Sequence, residues 1–95
     1  MPTEEGVLAV LNFPNRSRVF DQTRRAVRFW GHDSAMEASF FVTEAALRYF
    51  QPDLLVDEAA MLRAFDANRS RIQAAAVKVY ARGRKGSYNL EQSDF

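Results

Sequence analysis

The chain has 95 residues, 47% of them apolar and 26% charged, with 13 Lys and Arg against 12 Asp and Glu for a net charge of +1. That length and balance describe one folded domain, residues 1–95, rather than two cored units or a disordered tail. No cysteine and a single histidine exclude a disulfide framework and a thiolate zinc site, and leave little for nucleophilic or transition-metal chemistry.

The opening Met1-Pro2-Thr3-Glu4-Glu5-Gly6 is acidic where a secretory leader is basic. The first apolar run, Val7 to Leu11, is far shorter than the roughly 20 residues of a membrane span. A soluble, cytoplasmic protein with no membrane partner is the expectation. Val7 to Asn12 is β-prone and stops at Phe13-Pro14-Asn15-Arg16, where Pro14 suits a turn. Arg18-Val19-Phe20 predicts a short second strand, closed by Asp21-Gln22-Thr23. Arg25 to Gly31 predicts a third, with a tight connection at His32-Asp33-Ser34 and a return over Ala35 to Val42.

Alternation places Val27, Phe29, Gly31, Met36, Ala38, Phe40 and Val42 on the core face of this hairpin. The other face receives Arg28, Trp30, His32, Glu37, Ser39 and Phe41, with Arg28 and Glu37 as a cross-strand ion pair. Thr43 caps a short helix, Glu44 to Phe50, and Pro52 lies past its end. From Asp57 the spacing predicts one long helix over Glu58 to Arg82, with Met61, Leu62, Phe65, Ile72, Ala76, Val79 and Tyr80 in one apolar sector. Gly83 ends it, and Ser87 to Leu90 returns as a last strand. The fold class that follows is α+β: an antiparallel sheet, a β-meander plus the C-terminal strand, packed against one long and one short α-helix.

Several words of this sequence recur in order in a known family. Phe13-Pro14-Asn15, Val27-Arg28-Phe29-Trp30-Gly31-His32-Asp33 and Ala64-Phe65-Asp66-Ala67-Asn68-Arg69, with Tyr80 and Gly86-Ser87-Tyr88, closely resemble the bacterial domain of unknown function family 1488. The likeness runs from about Leu8 to Phe95. It implies a small, single-domain α+β bacterial protein, and brings no activity, ligand or catalytic residue with it.

Function must then be read from the residues. His32, Asp33 and Ser34 are adjacent, yet a triad needs its base held between nucleophile and carboxylate, which three consecutive turn residues do not provide. Acid–base work by His32, Asp33 and Glu37 would need a pocket to gather them, so an enzyme is the lesser expectation, and no cofactor or metal is expected. Gly83-Arg84-Lys85-Gly86 reads as a helix stop and turn rather than a phosphate clamp.

Three surfaces remain. Arg28, Trp30 and Phe41 form an aromatic–arginine face that suits a second small core, a protein interface such as a homodimer, or base stacking. Arg69, with Asn68 at the stripe's edge, falls among apolar residues and cannot stay dry and unpaired: either it snorkels outward at the stripe's rim or it meets a carboxylate, for which Asp66 is the local candidate, within either a pinning network or an anion site. The outward helix face carries Arg63, Arg71, Lys78 and Arg82 among Ala60, Ala64, Ala67, Ala74 and Ala81, continued by Arg84 and Lys85. Between Arg63 and Lys85 stand seven basic residues and one acid, a lopsided charge in a nearly neutral chain. The leading expectation is a non-enzymatic binding module whose basic helix face takes nucleic acid or another polyanion, such as an acidic protein. The alternative is a protein-interaction module or homodimer using the Trp30/Phe41 sheet face.

Overall fold

The computed structural model describes residues 11–55, 57–83 and 85–95. Four strands form one sheet in the order β1 (Arg18–Asp21), β2 (Ala26–Asp33), β3 (Met36–Thr43) and β4 (Ser87–Leu90). Three helices, α1 (Glu44–Phe50), α2 (Glu58–Ala67) and α3 (Arg69–Arg82), fall between β3 and β4. The architecture is α+β, and among the described residues no helix is long and apolar enough to cross a membrane. Most of the expected first strand, Val7 to Asn12, lies outside the described residues; Asn12 itself makes a bridge to His32 through two 2.8 Å backbone bonds.

The sheet departs from the expected antiparallel form at its last strand. The pairs β1–β2 and β2–β3 are antiparallel, whereas β4 runs parallel to β3, with Phe40 beside Tyr88 and Val42 beside Leu90. The cause is the connection. A tight turn reverses the chain, but the three helices between β3 and β4 return it to the sheet in the original direction.

The β2–β3 hairpin turns two residues later than Gly31. Its loop is Ser34-Ala35, so His32 and Asp33 are strand residues and Ser34 takes the left-handed conformation at φ 57°. That loop fixes the register, with Arg28 opposite Phe41, Trp30 opposite Ser39 and His32 opposite Glu37. The expected Arg28–Glu37 pair is therefore not made. Glu37 lies 3.6 Å from His32 Nε2, and Arg28 donates to the Ser39 hydroxyl at 2.9 Å.

The expected 25-residue helix is two helices meeting at Asn68. Asn68 leaves helical geometry at φ −118°, ψ 20°, and its N–H is shared between the carbonyls of Ala64 and Phe65. Its side-chain amide also donates to the Ala64 carbonyl at 2.9 Å, so side chain and backbone compete for one acceptor. The other helix starts follow the sequence. Thr43 Oγ1 accepts from the Ala46 N–H at 3.2 Å, and Asp57 Oδ1 from the Ala60 N–H at 2.8 Å.

The core lies between one sheet face and the helices. Val27, Phe29, Phe40, Val42, Tyr88 and Leu90 meet Leu47, Met61, Phe65, Ile72, Ala76 and Tyr80. Phe40 stacks between Phe29 (5.4 Å) and Tyr88 (4.9 Å), a three-ring column across three strands. Ala60 and Ala64, expected on the outward face, are buried, because a methyl side chain lets a helix close onto its neighbours. Met36, expected inward, is exposed at the hairpin's end.

Candidate functional site

Asp66, Asn68 and Arg69 come together at the α2–α3 junction, joined by a residue that sequence reasoning missed. Asp66 accepts from Arg69 Nη2 at 3.0 Å, as expected for neighbours three apart, and also takes both arms of Arg18 on β1, at 2.9 and 2.8 Å. Arg69, with 11% of its side chain exposed, lays its guanidinium over Phe65 at 4.8 Å and donates to the Arg16 carbonyl at 3.2 Å. These bonds hold the Asp66 carboxyl below the usual carboxylate range, Arg18 contributing most and Arg69 less, against an opposing push from burial. The cluster fastens strand β1 and the loop before it to the helices. Alternation along β1, which puts Arg18 on the side of Phe20, was the available signal for it.

The chemistry-bearing residues of the hairpin are held apart. His32 and Glu37 point to one side of the sheet and Asp33 to the other, because adjacent strand residues alternate. Asp33 Oδ2 accepts from the Tyr80 hydroxyl at 2.8 Å, tying the end of β2 to α3. Among the described residues, no three of His, Asp and Glu stand together as metal ligands would.

On the sheet face turned away from the helices, Trp30 is half-buried and Phe41 is buried. Arg28 lies 5.0 Å from the Trp30 ring and 5.5 Å from that of Phe41, and Arg24 lies 4.0 Å above Phe41 on its own account. The result is an alternating row of rings and guanidinium groups, with Arg28 Nε buried and unbonded.

Arg71, Lys78 and Arg82 occupy one stripe of α3 and are exposed, with exposed Ala74 and Ala81 between them. Arg63 is exposed on α2, across the break at Asn68, so the helical phase that aligned it with this stripe does not carry through. Lys85 is exposed beyond the helix end, and Arg84 lies outside the described residues. The Tyr88 hydroxyl fixes the turn there, accepting from the Lys85 N–H and donating to the Gly83 carbonyl. Among the described residues Arg82 pairs with Asp94 at 3.4 Å, whereas Arg63, Arg71, Lys78 and Lys85 make no ion pair. Arg71 instead rests 4.5 Å from the Phe50 ring. A cleft of about 230 Å³ runs beside the stripe, with Ala74 and Ala75 on the helix side and Phe50, Asp94 and Phe95 opposite.

A family model described as "Protein of unknown function (DUF1488)" matches residues 11–91. The chain belongs to this family. A DUF1488-family protein of unknown function from Shewanella loihica PV-4, solved by crystallography, has the same fold at a TM-score of 0.76. The two share 16% identity, over 86% of this chain and 92% of that one. No curated protein matches. The span matched by the DUF1488 model contains the Asp66 cluster, the Trp30 face and the basic stripe alike.

Proposed function

We propose that this protein is a non-enzymatic binding module whose α3 surface engages a polyanion. The reading rests on one observation: Arg71 and Lys78 are exposed on one stripe with no ion pair among the described residues, and the small Ala74 lies between them. Cations separated by methyl groups let a phosphate backbone approach closely, and cations without an ion pair have no salt bridge to give up on binding. Arg82 and Lys85 extend the row, and Arg63 adds charge from α2. Titration with labelled nucleic acid over a range of salt tests the reading. Affinity falls linearly on a log–log scale, and each Gln substitution at Arg71, Lys78 or Lys85 lowers the slope by about 0.7–0.9. No binding at low salt, or slopes untouched by these substitutions, rejects it.

The partial exposure of Trp30 beside Arg28 favours a second reading, in which that sheet face joins two copies or a protein partner. Trp30 is the chain's sole tryptophan, so its emission would shift with protein concentration if copies associate there. Constant emission with a monomeric mass by light scattering rejects the homodimer.

A further inference from the structure

We infer that the polyanion taken by the α3 stripe is a single-stranded nucleic acid, whose bases enter the aromatic clefts beside that stripe; this rests on the polyanion reading above. The basic row does not stand alone. Beside Lys78 and Ala74 the cleft is walled by Phe50 and Phe95, whose rings meet edge to face at 4.8 Å, and Arg71 rests 4.5 Å from the Phe50 ring. Tyr49 adjoins Phe50 at 5.8 Å and is 50% exposed, large for a ring that has a core available to it. Phe95 is a shared wall. On its other side a second cleft, of about 540 Å³, is lined by Ala45, Tyr49, Glu91, Gln92 and Ser93.

Charge and rings are thus arranged side by side rather than mixed. Cations line the α3 edge, aromatic rings follow, and hydrogen-bonding side chains lie beyond them. That sequence matches the cross-section of one nucleic-acid strand, with phosphate outside, base plane inside and base edge furthest in. A duplex keeps its bases stacked and offers the rings nothing. A base-free polyanion has no plane to stack and no edge to bond. The acids fit the same order. Asp94 is engaged by Arg82 and by the Glu91 N–H, so it adds little repulsion at the phosphate edge. Glu91 stands in the second cleft, where an uncharged base edge with amino donors would lie.

The test compares three labelled probes on the full chain: a 12-nucleotide oligo(dA), the same strand annealed to oligo(dT), and inorganic polyphosphate. The single strand binds at least five-fold tighter than duplex or polyphosphate at matched salt. Tyr49→Ala weakens the single strand about ten-fold, Tyr49→Phe restores it, and neither variant changes affinity for polyphosphate. Lys78→Gln weakens all three probes. Because Tyr49 is half exposed, these variants keep the parent's unfolding midpoint. If all three probes bind alike and Tyr49→Ala has no effect, the single-strand inference is overturned while the polyanion reading stands. If single-strand binding is lost with Trp30→Ala and not with Tyr49→Ala, the inference is likewise overturned, in favour of the sheet face. If no probe binds at low salt, both fall.

Discussion

Arg18 on β1 grips Asp66 on α2 with two parallel hydrogen bonds, 2.9 Å from Nε to Oδ1 and 2.8 Å from Nη2 to Oδ2. The side chains are 32% and 42% exposed, so solvent screens the pair and the gain is that of a well-formed surface bridge. Asp66→Asn should lower stability by about 1 kcal/mol at neutral pH. The folded-state pKa of Asp66 is depressed, so its contribution is complete above the unfolded value of about 3.9. It is lost as pH falls through the folded value. Urea midpoints of the parent and the variant should therefore converge in acid, and a constant gap down to pH 2 would contradict the pairing.

Gly31 lies in mid-strand because the chain before β1 crosses it. A Cβ there would meet Leu11 Cδ1 at 3.0 Å and Phe13 Cε1 at 3.1 Å. Phe13 packs at 6.1 Å on Phe29 and Leu11 is buried, so both must shift their packing to admit the new methyl groups. Gly31→Val is expected to cost about 1–3 kcal/mol of overpacking. Hydrogen exchange should localise the disturbance to the Asn12–His32 bridge rather than to β3–β4.

Tyr80 on α3 donates its hydroxyl to Asp33 at the end of β2, joining two elements distant in sequence. Tyr80→Phe keeps the buried ring and removes the donor, for an expected loss of about 1 kcal/mol. An unchanged denaturation midpoint would mean that the bond contributes nothing net.

Ser34 carries φ 57°, a region that costs a side-chain-bearing residue and is free to glycine. Ser34→Gly should raise stability by about 0.5 kcal/mol after the added freedom of the unfolded chain is subtracted. A midpoint that falls would show the hydroxyl to be worth more than the strain.

Local signals carried most of the element bounds. Thr43 and Asp57 announced two helix starts because a cap is a short-range hydrogen bond, and Ser87 to Leu90 was legible as the chain's return after the helix stop at Gly83. What failed was non-local or set by competition. Propensity favours helix throughout Glu58–Arg82, and only the Asn68 amide, competing for the Ala64 carbonyl, divides it. The direction of β4 depends on how three helices pack, which no residue within it encodes. At the candidate site, Arg71, Lys78 and Arg82 were legible because seven and four residues return to one helix face. Their aromatic wall was not, since Phe50 and Phe95 reach α3 only through the tertiary fold.

The parallel placement of β4 also orders events in time. The pairing of Ser39 with Ser87 spans half the chain, whereas β2 and β3 meet across a two-residue loop. Closing the long excursion carries the larger entropic toll, so the hairpin can be native-like while its outer partner is still searching. Until that search ends, the backbone amides and carbonyls along one margin of β3 have no neighbour, and a passing strand from another molecule could take the vacancy. Prompt docking of Tyr88 onto Phe40 therefore guards the nascent sheet against mispairing as well as completing its core.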